Sequence, residues 1–236
     1  MPSTNPLMTI LTTKKGAWRL PRSLCCVLAL LVATLLSVPT QAAQGAGDKG
    51  HAAALALYNA GNHKKARPAF EAACKAGNGE SCFSAGYMWS KGEGGKADDT
   101  KARGFYTSGC KLGDGGACNN LANFMDKGRG GPLDTVQALA TYEKSCAGNN
   151  QLGCFQAAKV LAYGDSAGKV KIDATRAQGF YVRACDLNYT AACYIAASNV
   201  RAGRGVAADE AAANQLFRRA CTLGDKEACA LFGIAK

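Results

Sequence analysis

The chain has 236 residues, 48% of hydrophobic type and 19% charged, with 28 glycines, 6 prolines, 12 cysteines and a net charge of +11. That much apolar material excludes a disordered polymer, and so few prolines exclude a collagenous or proline-rich one. The cysteine content is too high for a reducing cytosol unless the thiols hold metal, which makes the compartment the governing constraint.

Residues 1–22 carry Lys14, Lys15, Arg19 and Arg22 and no acid, residues 24–38 read LCCVLALLVATLLSV, and TQAA stands at 40–43. A basic stretch, an apolar run and then small residues is the pattern of an export signal, with cleavage expected after Ala42 or Ala43. The apolar run is shorter than the ~20 residues a spanning helix needs. Cys25 and Cys26 open it instead of ending it, which argues against a lipoprotein. Losing residues 1–42 removes four of the 28 basic residues, none of the 17 acidic ones and two cysteines, leaving +7 and ten cysteines. An even cysteine count after export fits the periplasm or the extracellular space, with the mitochondrial intermembrane space as the alternative. Export also argues against nucleic acid as the partner of this basic chain, and no stable membrane insertion is expected once the signal is gone.

Residues 43–61 are read as a linker and a helix at His51–Ala60, closed by Gly61, that caps one end of the cysteine-bearing region. The ten remaining cysteines are evenly paced: Cys74/Cys82, Cys110/Cys118, Cys146/Cys154, Cys185/Cys193 and Cys221/Cys229 are all C-x7-C, with first cysteines 36, 36, 39 and 36 residues apart. This is the signature of a repeat array. Five copies result, at 62–97, 98–133, 134–172, 173–208 and 209–236.

Aligned on the first cysteine, the copies place Asn62, Asp98, Asp134, Asp173 and Asp209 twelve residues earlier, as N-caps of a first helix, A. Position −8 is always Ala (66, 102, 138, 177, 213), position −4 is Phe70, Tyr106, Tyr142, Tyr181 or Phe217, and position −1 is the small Ala73, Gly109, Ser145, Ala184 or Ala220. These positions share one helical face with the cysteine, which makes them core and not a ligand-stacking ladder. Gly77, Gly113, Asn149, Asn188 and Gly224 stand at +3, residues that enter the left-handed conformation cheaply and so end helix A. A second helix, B, starts near the second cysteine and stops at Gly92, Gly128, Gly164 and Gly203. The three extra residues of the third copy fall between Gly164 and Asp173, in a connection where an insertion should disturb no packing. Pro68 is expected to kink or shorten the first helix A, and Trp89 is read as packing between copies.

The 36-residue spacing, the alanine at −8, the aromatic at −4, the turns LGDGGAC (112–118) and LGDKEAC (223–229) and the loops GEG (92–94) and GRG (128–130, 203–205) resemble Sel1-like repeats. C-x7-C in every copy is similar to their cysteine-rich branch of secreted bacterial proteins. The resemblance implies an all-α, right-handed αα-solenoid of TPR-related hairpins that presents surfaces to partners. Because some cysteine-rich members are described as penicillin-binding or weak β-lactamases, it also implies an alternative function. The third copy departs from the family, with GDSAGKV where others have G-x-G.

A bridge from the end of helix A to the start of helix B closes a loop of about eight residues and stabilises it by roughly 2.5 kcal/mol on the chain-entropy model. Five such bridges, one within each C-x7-C, are expected. Zinc favours C-x2-4-C and thiol redox chemistry C-x-x-C, and neither spacing occurs. The two histidines, His51 and His63, both precede the first bridge, so no His-based site can recur along the array. Ser108-Gly-Cys-Lys111 and Ser166-Ala-Gly-Lys169 match S-x-x-K, but no K-T-G or S-D-N accompanies them. No P-loop, no dinucleotide fingerprint and no H-E-x-x-H is present, so neither cofactor nor metal is expected.

Positions −9 and −2 form a stripe on the opposite face of helix A. Lys65, Lys101, Lys144, Arg176, Arg183 and Arg219 make it basic. The sequence is thus read as a monomeric, non-catalytic interaction module whose basic stripe receives an acidic protein segment or a carboxylate-bearing component of the cell envelope.

Overall fold

The computed structural model describes residues 45–233, and the stretch read above as an export signal lies outside them. The described residues form eleven helices and no strand: α1 (45–59), α2 (His63–Lys75), α3 (Gly79–Lys91), α4 (Asp99–Lys111), α5 (Gly115–Asp126), α6 (Thr135–Ala147), α7 (Gln151–Tyr163), α8 (Ala174–Asp186), α9 (Thr190–Ala202), α10 (Glu210–Thr222) and α11 (Lys226–Ala230). The five even-numbered helices are the A helices of the five copies. The array is an αα-solenoid.

Each copy is built by the same local chemistry. The carboxylates of Asp98, Asp134, Asp173 and Asp209 each accept from the backbone N–H three residues on, at 2.9 Å. Asn62 departs from this expectation, making no side-chain cap bond. Its own N–H is drawn back to the Leu57 carbonyl at 2.9 Å to close α1, and the tight junction leaves its ψ at 60° where the aspartates have 88–104°.

Positions −8, −4, −1 and 0 are buried in all five A helices. Helix A then ends in one repeated motif. The residue at +4 bonds back to the carbonyl at −1, as in Asn78 N–H to Ala73 O at 3.1 Å and Asp225 N–H to Ala220 O at 3.0 Å, with a left-handed residue between. That same +4 residue caps helix B. Asn78, Asp114, Asn150 and Asp225 accept from Ser81, Ala117, Gly153 and Ala228 N–H at 2.6–2.9 Å. Tyr189 holds the place in the fourth copy without a side-chain bond.

Two expectations need correction. Pro68 does not shorten α2, which has the same 13 residues as the other A helices. It is exposed, so the carbonyl it deprives of a donor is left to water. The capping helix α1 starts upstream of His51, and its Gly47 and Gly50 lie close to Ala76, Asn78 and Ala73, 3.1 Å from where a Cβ would stand. The insertion in the third copy leaves α7 packed on α8 as the other B helices pack on the next A helix, as expected, and adds a packed residue of its own. Asp165 receives the Val170 N–H on its side chain and the Gly168 N–H on its carbonyl, folding the loop so that Val170 is 8% exposed.

The usual B-to-A connection explains the G-x-G signature. Gly130 has φ +64°, and a Cβ there would lie 2.1 Å from the Asp99 carbonyl oxygen of its own copy. Gly94 and Gly205 make the same approach to His63 and Ala174. The core is continuous from copy to copy: Cys185, Cys193 and Val200 of the fourth copy pack with Phe217, Cys221 and Cys229 of the fifth.

Candidate interaction surface

Chemistry at the cysteines is settled by their pairing. All five C-x7-C pairs are disulfides with Cα–Cα distances of 4.4–4.6 Å, and no cysteine among them is more than 7% exposed. Among the described residues no cluster of His, Cys, Asp and Glu is arranged to hold a metal ion.

The histidines serve the capped end. His51 Nδ1 is 2.9 Å from Ser81 Oγ with its ring against Phe70, and His63 faces the Tyr58 ring. Both S-x-x-K pairs lie on the surface. Ser108 donates to the Gly104 carbonyl at 3.2 Å on an exposed turn, and Ser166 and Lys169 are both exposed in the inserted loop.

The six basic side chains of the A-helix stripe divide into two groups. Three arginines reach across to the preceding copy. Arg176 binds the Glu143 carboxylate, Arg183 donates to Asn149 Oδ1 at 2.7 Å, and Arg219 donates to Asp186 Oδ1 at 3.2 Å and to its carbonyl at 3.0 Å. These bonds tie the stripes of the third, fourth and fifth copies together, and they also occupy the three guanidinium groups. The lysines are freer. Lys65 and Lys144 are exposed and make no ion pair among the described residues, while Lys101 lies 3.9 Å from Asp98 and 4.1 Å from the centre of the Trp89 ring. Trp89 is fixed in turn by Arg67 at 3.9 Å and by its N–H bond to Glu71 at 2.7 Å, a contact within and between copies.

Burial governs the tyrosine hydroxyls at position −4. Aided by the Asp126 carboxylate and opposed by Asn123, it pushes the Tyr142 pKa up to about 12. With Tyr163 adding to it, burial does the same to Tyr181. Both are neutral at any physiological pH.

The inserted loop is where this array departs from regularity. Gly168 has room around it, with nothing within 4 Å of where a Cβ would stand. The loop's first half lines a cleft of about 370 Å³ with Thr135, Tyr142 and Lys159, and its second half lines one of about 530 Å³ with Val136, Leu139, Leu161 and Arg176. Exposed apolar groups gather here: Tyr163 is 74%, Ile172 67% and Val136 51% exposed. The broken G-x-G and the three extra residues are the sequence signals that mark this region.

Comparison with known proteins agrees with this geometry. The Sel1 repeat model matches residues 79–114, 116–150, 151–189 and 190–225. Its frame is offset by half a unit from the five C-x7-C copies, pairing each helix B with the next helix A. A protective antigen of uropathogenic Escherichia coli with an SLR fold superposes with a TM-score of 0.71 at 20% identity, over 78% of this chain and 40% of that one. A Sel1 repeat protein of Oxalobacter formigenes does so with a TM-score of 0.64 at 18% identity, over 72% and 49%. Cysteine rich protein B of Helicobacter pylori matches 56% of this chain and 92% of its own at 28% identity, with a TM-score of 0.44. The chain thus spans less than half the length of the first two. No curated protein matches the sequence. With four matched repeats, the helical hairpins and the stacked core in agreement, the chain belongs to the Sel1 repeat family.

Proposed function

We propose that this protein is an exported interaction scaffold whose A-helix face receives an acidic partner, either an acidic protein segment or carboxylate-bearing envelope material. The Sel1 fold is an interaction architecture, and the disulfides fit an oxidising compartment outside the cytoplasm. No helix among the described residues is long and apolar enough to cross a membrane. One observation carries the proposal: bonds from Arg176, Arg183 and Arg219 to the preceding copy tie the basic stripes of the third, fourth and fifth copies together, while Lys144 on those copies and Lys65 on the first stay exposed with no ion pair among the described residues. Such a face attracts acidic partners with a force that falls as salt rises.

The test is crosslinking of the mature protein in its native compartment, beside a Lys65→Glu/Lys101→Glu/Lys144→Glu variant. The arginines are spared because they tie neighbouring copies together. The variant should keep its melting temperature and lose the captured acidic partner. Capture that survives both the charge reversal and high salt would place the binding surface elsewhere.

A further inference from the structure

We infer that the inserted loop of the third copy, residues 164–172, is the anchor of this face and takes an acidic peptide segment bearing an aliphatic side chain. The inference rests on the proposed function and adds to it a place and a chemistry.

The loop is tied back to the array. The Asp165 clasp and the buried Val170 pin it to the array. Lys169 and Lys171, on either side of Val170, are both exposed. The cleft they line, about 530 Å³, falls in the size range of ligand-binding clefts and is floored by Leu139 and Leu161, with exposed Val136 and Ile172 at its edge.

Charge then selects the occupant. The acids in and around this cleft are engaged, beginning with Asp165, whose side chain accepts the Val170 N–H. Asp173 caps α8 through the Arg176 N–H at 2.9 Å, and Glu143 binds the Arg176 guanidinium. Lys169 and Lys171 make no ion pair among the described residues, so the cleft has an apolar floor and uncompensated positive charge. An aliphatic side chain flanked by carboxylates satisfies both at once. A purely apolar segment leaves the lysines unpaired, and a purely acidic one leaves Val136 and Ile172 in water. The regular copies cannot build this site, because their second glycine is packed against the start of helix A where the third copy has space.

The test uses the mature protein and a fluorescein-labelled peptide, Glu-Glu-Leu-Asp-Glu-Leu, read by fluorescence anisotropy. Control peptides replace the acids by amides or the leucines by serine. Each control should bind at least about tenfold more weakly than the parent. Lys169→Glu/Lys171→Glu should weaken parent binding about tenfold or more, and Val136→Ser/Ile172→Ser should abolish the preference for leucine over serine. All four positions are exposed, so the melting temperature should hold. Loop variants that bind the parent peptide within about twofold of wild type overturn the anchor. If binding then falls in Lys65→Glu/Lys101→Glu/Lys144→Glu, the broader reading of the basic face stands without it. Absence of binding, or binding indifferent to every variant and to salt, overturns both.

Discussion

Replacing Cys146 and Cys154 by alanine together removes one clamp from the middle of the array. The bond spans a sequence separation of 8, and closing a loop of that length constrains the unfolded chain by about 2.5 kcal/mol. Both cysteines are nearly inaccessible, at 4% and 0% exposure, so the lost sulfurs leave space that alanine does not fill and the total approaches about 3 kcal/mol. The hairpin itself survives, because α6 and α7 keep the caps from Asp134 and Asn150 and their buried faces. For a chain of this size about 3 kcal/mol lowers the melting temperature by roughly 6–12 °C. Thermal unfolding followed by circular dichroism of the oxidised proteins reads this directly. The same double replacement at Cys221 and Cys229 should act locally, since α11 has only five residues and packs chiefly on α10. It should speed hydrogen exchange at the amides of Leu231 and Phe232 with a smaller fall in melting temperature. A central variant that melts within about 1 °C of wild type would show that the bridge adds nothing to packing, refuting the chain-entropy estimate for this array.

Gly130→Ala should cost roughly 3 kcal/mol or more, since it combines a left-handed φ with a Cβ 2.1 Å from a carbonyl oxygen, whereas Gly168→Ala, with open space around it, should cost only about 1 kcal/mol; urea unfolding separates them. Asp134→Ala should cost about 1 kcal/mol as a lost helix cap, and Asn62→Ala, which loses no cap bond, clearly less in the same assay. Tyr142 and Tyr181 are raised from 10 to about 12 by burial. Their contribution, roughly 1–2 kcal/mol each after solvent screening, is therefore complete below pH 10 and is lost as pH rises from 10 through 12. The melting temperature should fall across that window and fall less in Tyr142→Phe; a flat profile would contradict the burial of these hydroxyls.

What could be read from the sequence was whatever local chemistry repeats. The alanine, aromatic and cysteine face of helix A and the left-handed stops depend on residues within a few positions of one another, so their spacing reveals them. Helix-B caps are equally legible, since Asn78, Asp114, Asn150 and Asp225 stand at one offset, directly after the left-handed residue that marks the end of helix A. Their signal is weaker than that of the left-handed stop, because Tyr189 breaks the pattern in the fourth copy. The stripe was only half legible. Spacing shows that Arg176, Arg183 and Arg219 share a face, but their engagement with Glu143, Asn149 and Asp186 depends on how far one copy is displaced against the next, which no single-helix pattern carries. The inserted loop was visible as an interruption, yet its buried Val170 and its clefts result from the Asp165 clasp, a contact between side chain and backbone that the loop's composition does not specify.

The most direct test of a clamped, exported array is mass analysis of the unreduced protein isolated from the cells that make it, with peptide mapping of its bridges. The expected product is a chain beginning after Ala42 or Ala43, with five bridges, Cys74–Cys82, Cys110–Cys118, Cys146–Cys154, Cys185–Cys193 and Cys221–Cys229, and no free thiol. A chain that retains residues 1–42 with its ten repeat cysteines reduced, or with bridges between copies, would contradict it.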